Sequence, residues 1–528
     1  MKKHAAVWVL ILLCLLWGSF LVLLFGSEAR AQTTTTLPYC TTTLPCIPPP
    51  TTTSTTTVTT LATTSTTRTT TTTTVTTTST TRTTTTTTAP ATPGVHVWSR
   101  RYGGTSDDVG NAVAVVPPGA TTAGQIVMAG SFGGTASLGD AKGGAGTWVT
   151  AGLADAFVSR YDASRNYVCS VRGGGTADDV AYSVATDGAG TMYAGGRFQL
   201  TAGFGGTVLT SAGSYDGWLW KLDAGCLPLW AIRIGGTGGD AVRGVGTDAA
   251  GNVYVAGTIS GTVDMGCGPV VATRGQDGFV ARFSPDGACQ WSHAIGGADT
   301  VTGLAVAPSG EHAVTGAYSL ANFGGGQTIS QGDLDAYLVH YDANGGYQWA
   351  DFGGGTLADQ FNGVAIDAQG NVVATGFVQG VSSIGGVLSG GGGHDIVTME
   401  WKAAGVRQWQ RRDGGPQVDD GMGVAIDAAG NVIVVGTYTG TSVFAGYTAA
   451  AHGFDDAFWM KLDPLGGGII GRGLAILGGY DNERGRSVAL TSDGSSILTG
   501  SLVSYVSFGG GYLISDGYGD AFLLKLTP

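Results

Sequence analysis

Charge is scarce in this sequence. Of 528 residues only 26 are Lys or Arg and 38 are Asp or Glu, which leaves a formal net charge of −12. An acidic chain without a run of basic residues argues against nucleic acid, and against anionic glycan or lipid surfaces, as main partners. Cysteine and histidine are equally sparse, seven of each. No CxxC pair, His/Cys cluster or HExxH spacing points to zinc. No serine sits in a GxSxG elbow, so a hydrolase triad has no sequence support. The many Gly-Gly pairs nowhere form a phosphate-binding loop between a strand and a helix. Beyond residues 5–26 no stretch is apolar enough to cross a membrane.

What is abundant is glycine, 92 residues of it, together with Thr and small apolar residues. That mixture suits turn-rich β structure rather than helix. The chain opens on Lys2-Lys3, an apolar run and Ala29-Arg30-Ala31. This order reads as an export signal over 1–31, cut before Gln32, with an uncleaved membrane anchor as the alternative. Either places the rest outside the cytoplasm, secreted or at the cell surface. Residues 32–93 are nearly all Thr, with STTRTTTTTT written twice. Such a stretch has too little apolar surface to offset the entropy of ordering it, and reads as a stalk or linker, glycosylated or bare. An oxidising compartment permits disulfides. Cys40 and Cys46 are the most local pair, and the connectivity of Cys169, Cys226, Cys267 and Cys289 stays open.

From residue 94 to 528 one pattern recurs. GVAIDAQGNVVATG at 363–376 returns as GVAIDAAGNVIVVG at 423–436. Each copy starts with a Trp-led segment ending in Gly-Gly, such as WSRRYGG, WAIRIGG, WSHAIGG, WADFGGG and WQRRDGG, with VCSVRGG and GLAILGG as weaker forms. Two apolar strands joined by an Asp-x-x-Gly-Asn turn come next, then a Gly-rich stretch and a strand of the DAFVSRYD type. Copies start 58 to 70 residues apart, the spacing of stacked supersecondary units. In the turn the Asp bonds backbone amides and the Gly takes positive φ. The strand before it, apolar on both faces, is expected to be innermost and buried on both sides.

The ordered part begins with a fourth strand that lacks a third and ends with a third strand that lacks a fourth. Pairing the two ends gives seven four-stranded antiparallel units and leaves no open sheet edge. The pattern resembles the bacterial seven-bladed β-propeller repeat family of secreted and cell-surface proteins. The resemblance implies an all-β propeller and surface exposure, and carries no agreed catalytic set. Pro117 and Pro308 depart from it, standing where other copies have the turn Asp.

Two acids recur in every copy. One follows Gly-Gly: Asp107, Asp178, Asp240, Asp299, Asp359, Asp419 and Asp481. The other precedes the third strand: Asp155, Asp216, Asp277, Asp335, Asp395, Asp456 and Asp520. Crowded on one face, they are expected either to cap their own Gly-rich turns or to gather Ca²⁺ or a cationic partner. The recurring Trp98, Trp230, Trp291, Trp349 and Trp409 read as packing between units. Trp148, Trp218, Trp220 and Trp459 fall out of register and are expected as exposed binding aromatics. The scattered histidines read as turn or surface groups. The function read from this is a surface-displayed, non-enzymatic binding or adhesion module whose loop-lined face takes protein or glycan. The alternatives are a polysaccharide-active propeller enzyme and a passive envelope protein.

Overall fold

The computed structural model describes residues 92–139, 145–297, 300–384 and 388–528. The signal or anchor, the Thr-rich stretch up to residue 91, Cys40, Cys46 and Asp299 lie outside them. The described chain is all-β and antiparallel, and its unit is a four-stranded sheet. One such sheet runs Ala241–Thr247, Val253–Ile259, Asp277–Phe283 and Cys289–Ile295, in that order. Four further sheets repeat this order of four strands.

A ten-stranded sheet holds both ends of the described chain. Within it His96–Gly104 lies antiparallel on Asp520–Leu526, with Arg101 opposite Phe522. The strand expected to find its partner at the far end of the sequence therefore does so. The first strands of the units are Asp108–Val115, Val180–Thr186, Ala241–Thr247, Thr300–Val306, Gln360–Ile366, Asp419–Ile426 and Glu483–Leu490. Each packs on the next, and Glu483–Leu490 packs on Asp108–Val115.

The expectation that these strands are buried on both sides needs correction. Val364, Ala365 and Ile366 are half-buried, because one side of the strand lines a cavity. Complete burial belongs to the second and third strands instead. Every residue of Val253–Ile259 is buried, as is every residue but one of Asp277–Phe283. Apolar side chains from both faces of these strands form the core between successive sheets.

Local chemistry sets the turns. Asp367 accepts N–H bonds from Gln369 at 2.9 Å and Asn371 at 2.8 Å, and Gly370 takes φ 82°. The expectation that Pro308 stands at the Asp position is off by one: Ala307 takes that place, with Gly310 N–H donating to the Ala307 carbonyl and Ala307 N–H to the Glu311 carbonyl, and the Ser309 hydroxyl accepts the Glu311 N–H at 3.4 Å. Two disulfides are formed, Cys169–Cys226 between neighbouring sheets and Cys267–Cys289 within one repeat unit.

Candidate functional site

Asp240, Asp359 and Asp419 are buried, and each accepts the N–H of the second glycine of its Gly-Gly pair, at 2.8, 2.7 and 2.7 Å. In three copies the role falls on a neighbour of the residue expected. Asp108 stands in for Asp107, Asp179 for Asp178 and Glu483 for Asp481, with N–H bonds of 2.6 Å from Gly104, Gly175 and Gly479. Asp107 is exposed, and Asp178 and Asp481 are half-buried. The reason is register: the acid must sit four residues after the glycine it caps, which plain alignment of Asp letters does not measure.

The second set is equally occupied. Asp155, Asp216, Asp277, Asp335, Asp395, Asp456 and Asp520 each accept the N–H of the residue four positions earlier, at 2.7 to 3.0 Å. Guanidiniums from the fourth strand reach several of them, as Arg101 does Asp520 at 2.7 Å and Arg233 does Asp216 at 2.9 Å. Burial pushes the first set up, Asp108 to about 8, Asp179 and Glu483 to about 7 and Asp359 to about 6, with the neighbouring third-strand acid adding to the rise. Among the described residues no group of three or more His, Cys, Asp or Glu is arranged to hold a metal ion.

The tryptophans divide as their packing demands. Trp230, Trp291, Trp349 and Trp409 each lie over the positive-φ glycine of a turn in the next unit, namely Gly287, Gly345, Gly405 and Gly467. The four expected as exposed platforms are not exposed. Trp218, Trp220 and Trp459 are fully buried in the core, and Trp148 is half-buried with its indole N–H on Ser170 at 2.8 Å. Their extra aromatic bulk fills space between sheets. Other aromatics are exposed instead, among them Phe352, Phe454 and the tyrosines Tyr480, Tyr505 and Tyr512, which form a chain with ring centroids 5.1 and 6.0 Å apart.

A set of side chains that sequence reasoning missed faces one cavity. Each first strand carries a β-bulge at one equivalent position. The bulged residues are Asn111, Tyr182, Arg243, Thr302, Asn362, Met422 and Arg486, and all seven line a single cavity of about 590 Å³. A bulge inserts one unpaired residue and re-aims its side chain, which is why bulges gather at functional sites. The residue after each is small: Ala112, Ser183, Gly244, Gly303, Gly363, Gly423 or Ser487. Crowding explains this. A Cβ on Gly244 would stand 2.4 Å from Leu304 of the next strand, and one on Gly363 2.6 Å from the Met422 carbonyl.

Side chains stitch these strands around the cavity. The amides of Asn111 and Asn362 each donate to a carbonyl on the next first strand, Ala181 and Gly421, at 2.9 Å. Thr302 donates to the Phe361 carbonyl at 2.5 Å. The Arg243 guanidinium stands over the Tyr182 ring, 4.2 Å from its centroid.

No family model matches the chain, and no curated protein matches it. Solved structures similar to it include the WD40 repeats of RRP9, with TM-score 0.42, 11% identity, and coverage of 82% of this chain and 99% of that one. Sqt1 from Chaetomium thermophilum has TM-score 0.38, 13% identity, and coverage of 83% and 100%. A protein of unknown function from Bacteroides caccae has TM-score 0.30, 9% identity, and coverage of 53% and 78%.

Proposed function

We propose that this chain is an exported recognition module that binds its ligand in the central cavity without turning it over. In this reading seven four-stranded blades close into a ring where the two ends of the chain pair, and the Thr-rich stretch carries the ring as a stalk. One observation carries the proposal. A chain that repeats itself in its turns, caps and inter-sheet tryptophans varies freely at the bulged positions, which span Asn, Tyr, Arg, Thr and Met around one cavity. Varied polar and apolar groups converging on a concave site are the usual makeup of a ligand pocket.

The repeated carboxyls support binding over catalysis, since their oxygens hold backbone N–H groups rather than facing the cavity. Export is supported by the basic, apolar and small-residue order at the start and by two disulfides. The amides, hydroxyls and tyrosine rings that line the cavity favour a glycan as the ligand, since such groups hydrogen-bond sugar hydroxyls and cover sugar faces.

The test is a glycan array probed with the full chain and with Met422→Trp, which fills the cavity. Glycans bound by the first and lost by the second support the proposal. Binding unchanged by the substitution, or release of new reducing ends from a bound polysaccharide, overturns it.

A further inference from the structure

The cavity has a sign, and it opposes that of the protein. Two arginines line it, and no Asp or Glu does. Order around the cavity sets them apart: Asn111 and Tyr182 lie between them one way and Thr302, Asn362 and Met422 the other, so the two cations stand on opposing walls. Neither guanidinium has a carboxylate within ion-pair distance among the described residues. Arg486 is half-buried, and its Nε, shielded from water, has no hydrogen-bond partner. A buried guanidinium left unpaired is costly, and a planar oxyanion is the partner that its fork of N–H groups fits best.

The acids nearest to Arg486 are already engaged. It shares a side cavity of about 150 Å³ with Asp420 and Asp455. Asp455 is held by Arg484 at 2.7 Å, and Asp420 by His394 at 2.9 Å. Burial lowers the pKa of Arg486, and the charge of Arg484 lowers it further, so an incoming anion relieves an existing cost. Arg243, stacked on Tyr182, presents a second cation on the opposing wall. Between the two the cavity offers hydroxyls, amides and a thioether. Opposed cations with neutral polar groups between them suit a small organic acid with a polyhydroxy body.

Resting on the recognition reading above, we propose that the cavity binds the carboxylate of a sugar acid between Arg486 and Arg243, with Thr302 and Asn362 toward its hydroxyl groups. The acidic bulk charge of the chain disfavours anionic partners at the outer surface, whereas these two cations line the cavity.

The test is calorimetric titration of the full chain with glucuronate, glucose, and inorganic phosphate. Glucuronate is expected to bind, with glucose and phosphate each at least about tenfold weaker, the margin that one buried charge-assisted contact supplies. Arg486→Gln and Arg243→Gln are each expected to weaken glucuronate by about tenfold or more, and Arg486→Lys by less. Arg274→Gln, on the exposed surface, is expected to leave it unchanged. Thermal melts check the fold, and Arg486→Gln should melt no lower than the parent because it removes an unpaired buried charge. Phosphate binding as tightly as glucuronate, or glucuronate insensitive to both substitutions, overturns the inference. If a neutral glycan binds and Met422→Trp abolishes it while Arg486→Gln does not, the anion inference fails and the recognition reading stands. If Met422→Trp changes nothing, the recognition reading itself fails.

Discussion

Arg101 and Asp520 meet at 2.7 Å although 419 positions separate them. The contact crosses the pairing of His96–Gly104 on Asp520–Leu526. Asp108 stands beside Asp520, which raises the Asp108 pKa further after burial has raised it first. One corner of the fold thus joins the first strand, the last strand and a capped Gly-Gly turn.

The caps are expected to matter for stability through the N–H groups they satisfy. Asp419 accepts from Gly415 N–H at 2.7 Å, Thr439 N–H at 3.1 Å and the Ser442 hydroxyl at 2.7 Å. Asp419→Ala strands these buried donors and should cost about 2–4 kcal/mol in urea unfolding. Asp419→Asn, which keeps one acceptor oxygen, should cost distinctly less. Equal losses would show that packing, not acceptance, is what the side chain supplies.

Stability should fall as pH rises from 6.5 to 8.5. In the unfolded chain carboxyls release their protons near pH 4. Folded Asp108 holds its proton to about 8, Asp179 and Glu483 to about 7. Their contribution is therefore complete below about pH 4 and is lost as pH rises through those values. His312 works oppositely. Burial lowers it from 6.5 to about 4, so its contribution is complete above 6.5 and lost as pH falls toward 4. Above pH 6.5 only the acids act. The urea midpoint should decline over that range, and Asp108→Asn should flatten the decline. A midpoint independent of pH would contradict the raised carboxyls.

Gly467 is expected to tolerate no side chain. It takes φ 66°, and a Cβ there would lie 2.7 Å from the Trp409 ring. Gly467→Ala should cost about 1–3 kcal/mol by strain and overpacking together. The double variant with Trp409→Leu should recover part of that cost. Additive losses in the two variants would separate the glycine from the ring.

The elements legible in the sequence are those built from local chemistry. The Asp-x-x-Gly-Asn turn, the acid after Gly-Gly and the inter-sheet Trp each repeat because each solves the same short-range problem in every unit. The cap residue was misjudged by one or two positions at Asp108, Asp179 and Glu483, since the hydrogen bond counts residues from the glycine. Trp218 and Trp220 looked exposed only because they broke the repeat, whereas in the fold they fill the core against Phe204. The cavity ring was illegible for the opposite reason. Asn111, Tyr182, Arg243 and Met422 share nothing as letters. Their one common mark is the small residue that follows each, which the close approach of the next strand requires.

The pairing of the chain's ends is tested most directly by trapping it. Ser99 and Leu524 are register partners across the two terminal strands. In the double variant Ser99→Cys, Leu524→Cys, mild oxidation followed by peptide mapping should yield a 99–524 disulfide in the monomer, alongside the two native ones. Both new thiols remaining free, or linking only between molecules, would contradict the ring and with it the cavity that the ring encloses.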